Sequence, residues 1–187
     1  MTPSYRFYSF VAGLYLSPLQ RGLQTAHAVS EMHADLIASD MFPLDNTPSI
    51  ERKAFDNWAQ NDKVIVILDA LNSAGVIAAY DKACFFAETL KLPTSIFYED
   101  EQSLNEAATA AAIVVPDYFY EAYHVIDTPS YNGFWKSLFS KPENPKIMFR
   151  YERRNDVGEV IETIDYERSS REYDFISFLK SFKLAQS

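Results

Sequence analysis

KVIVILDA, residues 63–70, is the stretch whose reading decides the fold. Residues 64–68 are apolar without interruption, and four of the five are β-branched. Strict alternation would mark a sheet with one wet face, whereas a continuous apolar run of strand length marks a strand covered on both sides. The segment is therefore read as a central strand with helices above and below it.

The neighbouring segments extend this reading in both directions. Asn72 or Ser73 caps a helix that runs to about Leu90, with Val76, Ile77, Tyr80, Cys84 and Ala87 on its apolar side. Leu92-Pro93 stops it, and TSIFYED, residues 94–100, is the next strand. A polar connection leads to AAAIVVP, residues 110–116, a second buried strand ended by Pro116. Toward the N-terminus, YRFYSFVAGLYL at 5–16 is a first strand, and Ser17-Pro18 opens a helix with proline in its first turn. Residues 40–47 form a loop, and Thr47-Pro48 starts a helix that ends near Trp58.

This order predicts an α/β fold, a three-layer α/β/α arrangement around a small, mostly parallel mixed sheet. Residues 1–125 make up that domain. Residues 126–187 form a ββα extension packed on it: KIMFRYE and EVIETIDYE flank a turn at RRNDVG, and the amphipathic EYDFISFLKSF follows. The aromatic residues Tyr118, Phe119, Tyr120, Tyr123, Tyr131, Phe134 and Trp135 are read as packing for this extension or as the interface of a homo-oligomer.

Composition narrows the function classes. The 187 residues carry a net charge of −9, and residues 1–116 hold seven basic against 14 acidic side chains. Such a surface repels nucleic acid except at a local patch. No apolar stretch approaches the roughly 20 residues needed to span a bilayer, so no membrane partner is expected. The opening MTPSYRFYSF lacks the basic and apolar regions of a secretory signal, and the single cysteine, Cys84, suits a reducing cytoplasm. Cys84 is read as a small core residue. His33 and His124 show no ligand spacing, so no metal or other cofactor is expected.

The first helix holds the clearest candidate surface. In LQRGLQTAHAVSEM, residues 19–32, Gln20, Gln24, His27 and Glu31 recur at helical spacing on one face. Gly22, Thr25, Ala26, Val29, Met32 and Leu36 form the opposite, packing face. The second candidate is the acidic run Glu99-Asp100-Glu101 at the end of a strand, where parallel-sheet folds place their ligands.

In order, these segments resemble the archaeal and eukaryotic class of peptidyl-tRNA hydrolases over residues 5 to 116. The features that carry the resemblance are the Gln-x-x-His-Ala pattern at Gln24-Thr25-Ala26-His27-Ala28, Trp58 ahead of Lys63-Val64-Ile65-Val66-Ile67-Leu68, then LKLPTSIFYEDEQSL and AAAIVVP. The resemblance implies ester hydrolysis on tRNA or a small nucleotide. It maps the family's acid onto Glu99 or Asp100 and its hydroxyl onto Ser103. The family's lysine, four residues before the motif glutamine, falls on Gln20, with Arg21 adjacent.

Ester hydrolysis needs a base, a positioned water or hydroxyl and a donor for the developing oxyanion. Glu99, Asp100 and Ser103 are the catalytic candidates. Gln20, Arg21, Gln24, His27 and Asn105 are the substrate-binding candidates. Loss of an oxyanion donor removes roughly 2.7 to 4 kcal/mol of transition-state stabilisation, so a glutamine in place of lysine predicts slow turnover or none. The alternative is a catalytically degenerate binding module for a nucleotide, an RNA end or a protein partner.

Overall fold

The computed structural model describes residues 4–13, 17–40, 48–120, 123–125, 147–155, 157–168 and 170–185. Residues 41–47, with Thr47, and the aromatics Tyr131, Phe134 and Trp135 lie outside them. The chain divides into two units, one comprising Met1–Asp117 with Phe178–Ser187 and the other Tyr118–Ser177.

The larger unit is an α/β domain. Its elements are β1 (Tyr5–Val11), α1 (Pro18–Asp40), α2 (Ile50–Asn57) running into a π-helical turn (Trp58–Asp62), and β2 (Val64–Asp69). They continue with α3 (Ser73–Leu90), β3 (Thr94–Tyr98), the single turn α4 (Glu101–Leu104) and β4 (Ala108–Pro116). The sheet order is β2-β1-β4-β3. β1 and β2 pair in parallel, and β4 runs antiparallel to both β1 and β3. Three strands thus share one direction, and β4 returns against them through the short connection that holds α4.

Every residue of β4 is buried. Alanines at 108 and 110–112 keep its surface low, which lets helices pack closely on both faces. On one face Phe7 and Val11 of β1 and Ala110, Ala112 and Val114 of β4 pack against Ala28, Met32 and Leu36 of α1, together with Phe55 and Trp58. On the other, Phe10 meets Phe178 and Phe182 at ring separations of 5.6 and 4.9 Å, and Phe178 stacks on Phe86 of α3 at 6.3 Å. The three-layer reading holds.

KVIVILDA is not central. β2 is an outer strand, and Val64 and Ile65 are almost half exposed. The run is apolar because its middle packs under α1 and its far edge is covered from outside. The Asp69 amide donates to the Lys183 carbonyl (3.0 Å), the Ala185 amide donates to the Ile67 carbonyl (2.9 Å), and Leu68 and Leu184 form an antiparallel bridge. These contacts and the Phe178 and Phe182 rings return the chain's last residues to the first unit. The division of the chain into its two units falls after Asp117 and before Phe178.

Two local expectations also change. α2 is capped by Ser49, whose hydroxyl accepts from the Arg52 amide. Cys84 is half-buried, with its sulfur 3.6 Å from Thr94 Oγ1, instead of lying fully in the core.

The smaller unit contains α5 (Asp117–Tyr120), whose first residue belongs to the larger unit, then β5 (Tyr123–Val125), β6 (Ile147–Arg154), β7 (Val160–Arg168) and α6 (Ser170–Ser181), which ends in the larger unit. The strands form an antiparallel sheet in that order. Register places Arg150 opposite Asp165 and Arg153 opposite Glu162. Asn155 Oδ1 accepts from the Val157 and Glu159 amides, and Gly158 supplies the left-handed residue that closes the turn (φ 86°). Phe119 and Phe175 meet edge-on, 5.8 Å apart, as the buried centre of this unit.

Glycine substitutions test this packing. A Cβ at Gly75 would run into the Ala70 carbonyl oxygen, whereas one at Gly22 meets nothing within 4 Å. Gly75→Ala is expected to lower unfolding stability by about 1 to 3 kcal/mol. Gly22→Ala is expected to raise it by about 0.5 to 1 kcal/mol. Denaturant unfolding with unchanged slope checks both values.

Candidate functional site

Ser17, Pro18 and Gln20 begin α1 with a reciprocal cap. The Gln20 amide donates to Ser17 Oγ (3.2 Å), and Ser17 Oγ donates to Gln20 Oε1 (3.0 Å). Proline in the first turn needs no amide partner, so the sequence Ser-Pro-Leu-Gln starts the helix with little loss. The side chain at the position expected to supply a site cation is thus neutral, exposed and engaged at the helix start.

One turn further, Gln24 is buried, at 4% exposure, contrary to its assignment to a wet face. Its Nε2 donates to Glu99 Oε1 and its Oε1 accepts from Thr109 Oγ1, both at 2.8 Å. The amide nitrogen thus faces Glu99 and leaves its oxygen to the threonine hydroxyl. Buried polar groups require such partners, and this chain of three satisfies the amide at both ends. The packed face of α1 therefore runs through Gln24, Thr25, Ala28, Met32 and Leu36, while Ala26 is exposed. Thr25 Oγ1 bonds to Ser9 Oγ (3.0 Å) and Ser95 Oγ to the Ala28 carbonyl (2.7 Å), which adds polar stitches between α1 and the sheet.

A bulge brings Thr109 into this network. Phe97 pairs with Ala110 but Tyr98 pairs with Ala108, so Thr109 is an extra residue in β4. Strict alternation would send Thr109 away from Ala110 and α1; the bulge turns it toward Gln24. Sequence reasoning missed it, although a lone hydroxyl inside ATAAAIVVP is an available signal.

Beyond β3 the chain passes through α4 and reverses at Asn105 and Glu106, both with left-handed backbone (φ 52° and 58°). Asparagine tolerates this conformation; glutamate is strained in it. An open depression of about 560 Å³ lies here, lined among the described residues by Tyr98, Glu99, Asp100, Glu101 and Glu106. Glu99 joins the buried network to this rim. The Ser103 side chain lies outside the described residues.

The sequence-predicted residues therefore separate into groups. Gln24 and Glu99 are in contact, and Asp100 shares the depression with Glu99. His27 is half-buried and stacks on Phe97 of β3 with ring centroids 4.4 Å apart and planes 10° from parallel. Gln20, Arg21, His27 and Asn105 are not among the lining residues. Among the described residues no cluster of three or more metal-ligating side chains occurs, and no helix is long and apolar enough to cross a membrane.

Nearby on α3, Tyr80 holds its proton to about 12 instead of the ordinary 10.0. Burial is the main cause, followed by its hydrogen bond to Cys84 and the neighbouring charges of Cys84, Asp35 and Tyr98.

No protein-family model matches this sequence, and no curated protein matches it significantly.

Thr109→Val strands the Gln24 carbonyl oxygen and is expected to lower stability by about 1 to 3 kcal/mol. Gln24→Leu strands the Thr109 hydroxyl and is expected to act similarly, while the double variant loses less than the sum by about 1 kcal/mol. Additive losses in a denaturation cycle would refute the network. The folded chain keeps the Tyr80 proton at a pH where the unfolded chain has lost it. Its contribution is therefore complete below pH 10 and disappears as pH rises toward 12. Tyr80→Phe is expected to flatten the loss of stability over that window, measured as the difference from the native chain.

Proposed function

We propose that this chain is a catalytically degenerate binding module with a peptidyl-tRNA hydrolase-like fold, which holds a protein partner through a basic segment. The observation that carries the reading is the engagement of Gln20 with Ser17 at the position where the resemblance calls for lysine. A neutral amide tied to a helix start supplies no cation for a developing oxyanion. The character of the depression supports the second half of the reading. Four carboxylate side chains border it, a field that repels phosphate and attracts lysine or arginine. The Gln24 amide fixes one of them, Glu99, from below.

Hydrolysis of a tRNA or nucleotide ester is the competing reading, favoured by the contact between Gln24 and the acid mapped as catalytic. A single-turnover assay with labelled peptidyl-tRNA and excess protein separates the two. No cleavage above the uncatalysed rate is expected. Cleavage that disappears in a Glu99→Ala, Asp100→Ala double variant would establish the hydrolase instead. In parallel, a lysine-rich peptide is expected to bind at low salt and to weaken with added salt. Replacing Asp100, Glu101 and Glu106 by their amides is expected to reduce that binding by roughly tenfold, at about 0.5 kcal/mol per exposed charge. Equal binding by the triple variant would remove the depression as the partner site.

A further inference from the structure

The sheet of the larger unit closes one of its edges and leaves the other open. The outer edge of β2 is met by the chain's own Lys183–Ala185, whereas β3, at the opposite end of the sheet order, pairs with β4 alone among the described residues. Register and bonding show which groups this leaves. The Val114 amide donates to the Pro93 carbonyl (3.1 Å), and bonded pairs alternate along an antiparallel ladder, so Ser95 and Phe97 also bond toward β4. Beyond the bulge the Glu99 amide again turns inward, donating to the Ala107 carbonyl (3.0 Å). Thr94, Ile96 and Tyr98 therefore direct their amides and carbonyls outward, and among the described residues no strand meets them there.

Such a row is a template for another strand, and proteins ordinarily blunt it with lysine or proline. TSIFY at 94–98 contains neither and is rich in β-forming side chains. What flanks the edge is acidic. At its C-terminal end lie Glu99, Asp100, Glu101 and Glu106 around the depression. Along α1, His27 stacks on Phe97, and Glu31 follows one turn later on the same side. Asp35, a further turn along α1, and Tyr98 both act electrostatically on Tyr80 of α3, so the two helices flank this edge from opposite faces. These charges select the occupant. A second copy of the chain would bring the same carboxylates against their like, whereas an extended segment bearing lysine or arginine meets opposite charge.

We propose that the β3 edge takes a basic, extended segment of a partner protein as an added strand. Main-chain bonds to Thr94, Ile96 and Tyr98 give affinity, and the carboxylates at the end of β3 set the register. This rests on the reading of the depression as the seat of a basic segment and adds how that segment is held.

Hydrogen exchange of the full chain, followed amide by amide in NMR spectra, reads the edge directly. Without peptide, the Thr94, Ile96 and Tyr98 amides are expected to exchange at least about tenfold faster than those of Ser95 and Phe97. The probe is an acetylated peptide of alternating threonine and valine between two pairs of lysines. At saturation it is expected to slow the three outward amides by about tenfold or more. Methylating alternate main-chain nitrogens of the peptide leaves it one bonding edge and preserves binding. Methylating every nitrogen of its central stretch keeps the charge but blocks both edges, and is expected to weaken binding by about tenfold. Ile96→Pro deletes an outward amide where an edge strand tolerates proline; it is expected to weaken binding by about fivefold with circular dichroism unchanged. Slow exchange of the three amides in the chain without peptide would mean that the edge is already covered and would overturn the proposal. So would binding that is lost in the Asp100, Glu101 and Glu106 amide variant yet ignores methylation and leaves the three amides unprotected; the depression would then stand as the partner site without the edge. Protection that persists in that variant keeps the edge and removes the depression, and absence of any binding removes both.

Discussion

The larger unit depends on β4, a strand buried along its whole length between β1 and β3. Its side chains are small over most of that length, and this allows α1 to rest on one face and α3 on the other while strand pairing satisfies the backbone. Larger residues at Ala110 or Ala112 would push α1 away from the sheet and pull Gln24 off Thr109. The core and the candidate site are therefore positioned by the same strand.

The bulge at Thr109 shows how a small departure from regularity acquires a chemical effect. One extra residue turns a hydroxyl toward α1; the hydroxyl orients an amide, and the amide fixes the carboxylate of Glu99 at the edge of an open acidic depression. Burial strengthens each of these hydrogen bonds and makes an unpaired member expensive. The consequence is a rim whose position is set from the interior, while Asp100, Glu101 and Glu106 contribute charge from exposed positions. Such a rim suits a cationic partner better than the phosphate groups of RNA.

The two ends of the sheet order are treated differently. β3 leads into the site loop. β2 is covered by Lys183–Ala185, with Phe178 and Phe182 completing the face that β1 and α3 begin. An uncovered strand edge is a template for association, and covering it with the chain's own end removes that hazard.

Much of the fold was legible in local sequence. Caps and breakers marked the start of α1 at Ser17-Pro18, the cap of α3 at Asn72 or Ser73, of which Asn72 is the one used, and the stops at Pro93 and Pro116, because proline and capping side chains act on backbone groups within a few residues. Apolar runs identified the strands. What local sequence does not encode is which strand occupies the middle. KVIVILDA and AAAIVVP are both continuously apolar, yet the alanine-rich strand is central, because close approach of two helices favours small side chains over hydrophobic ones. The same limit applies to the site. Helical spacing placed Gln24 beside His27 correctly but assigned its face to solvent, since a glutamine reads as polar until Glu99 and Thr109, 75 and 85 residues away, supply its partners. Capping, breaking and periodicity are properties of neighbouring residues and were determined by the sequence alone. Burial of Gln24, the aim of Thr109 and the covering of β2 arise from contacts between distant segments, and only the tertiary structure decided them.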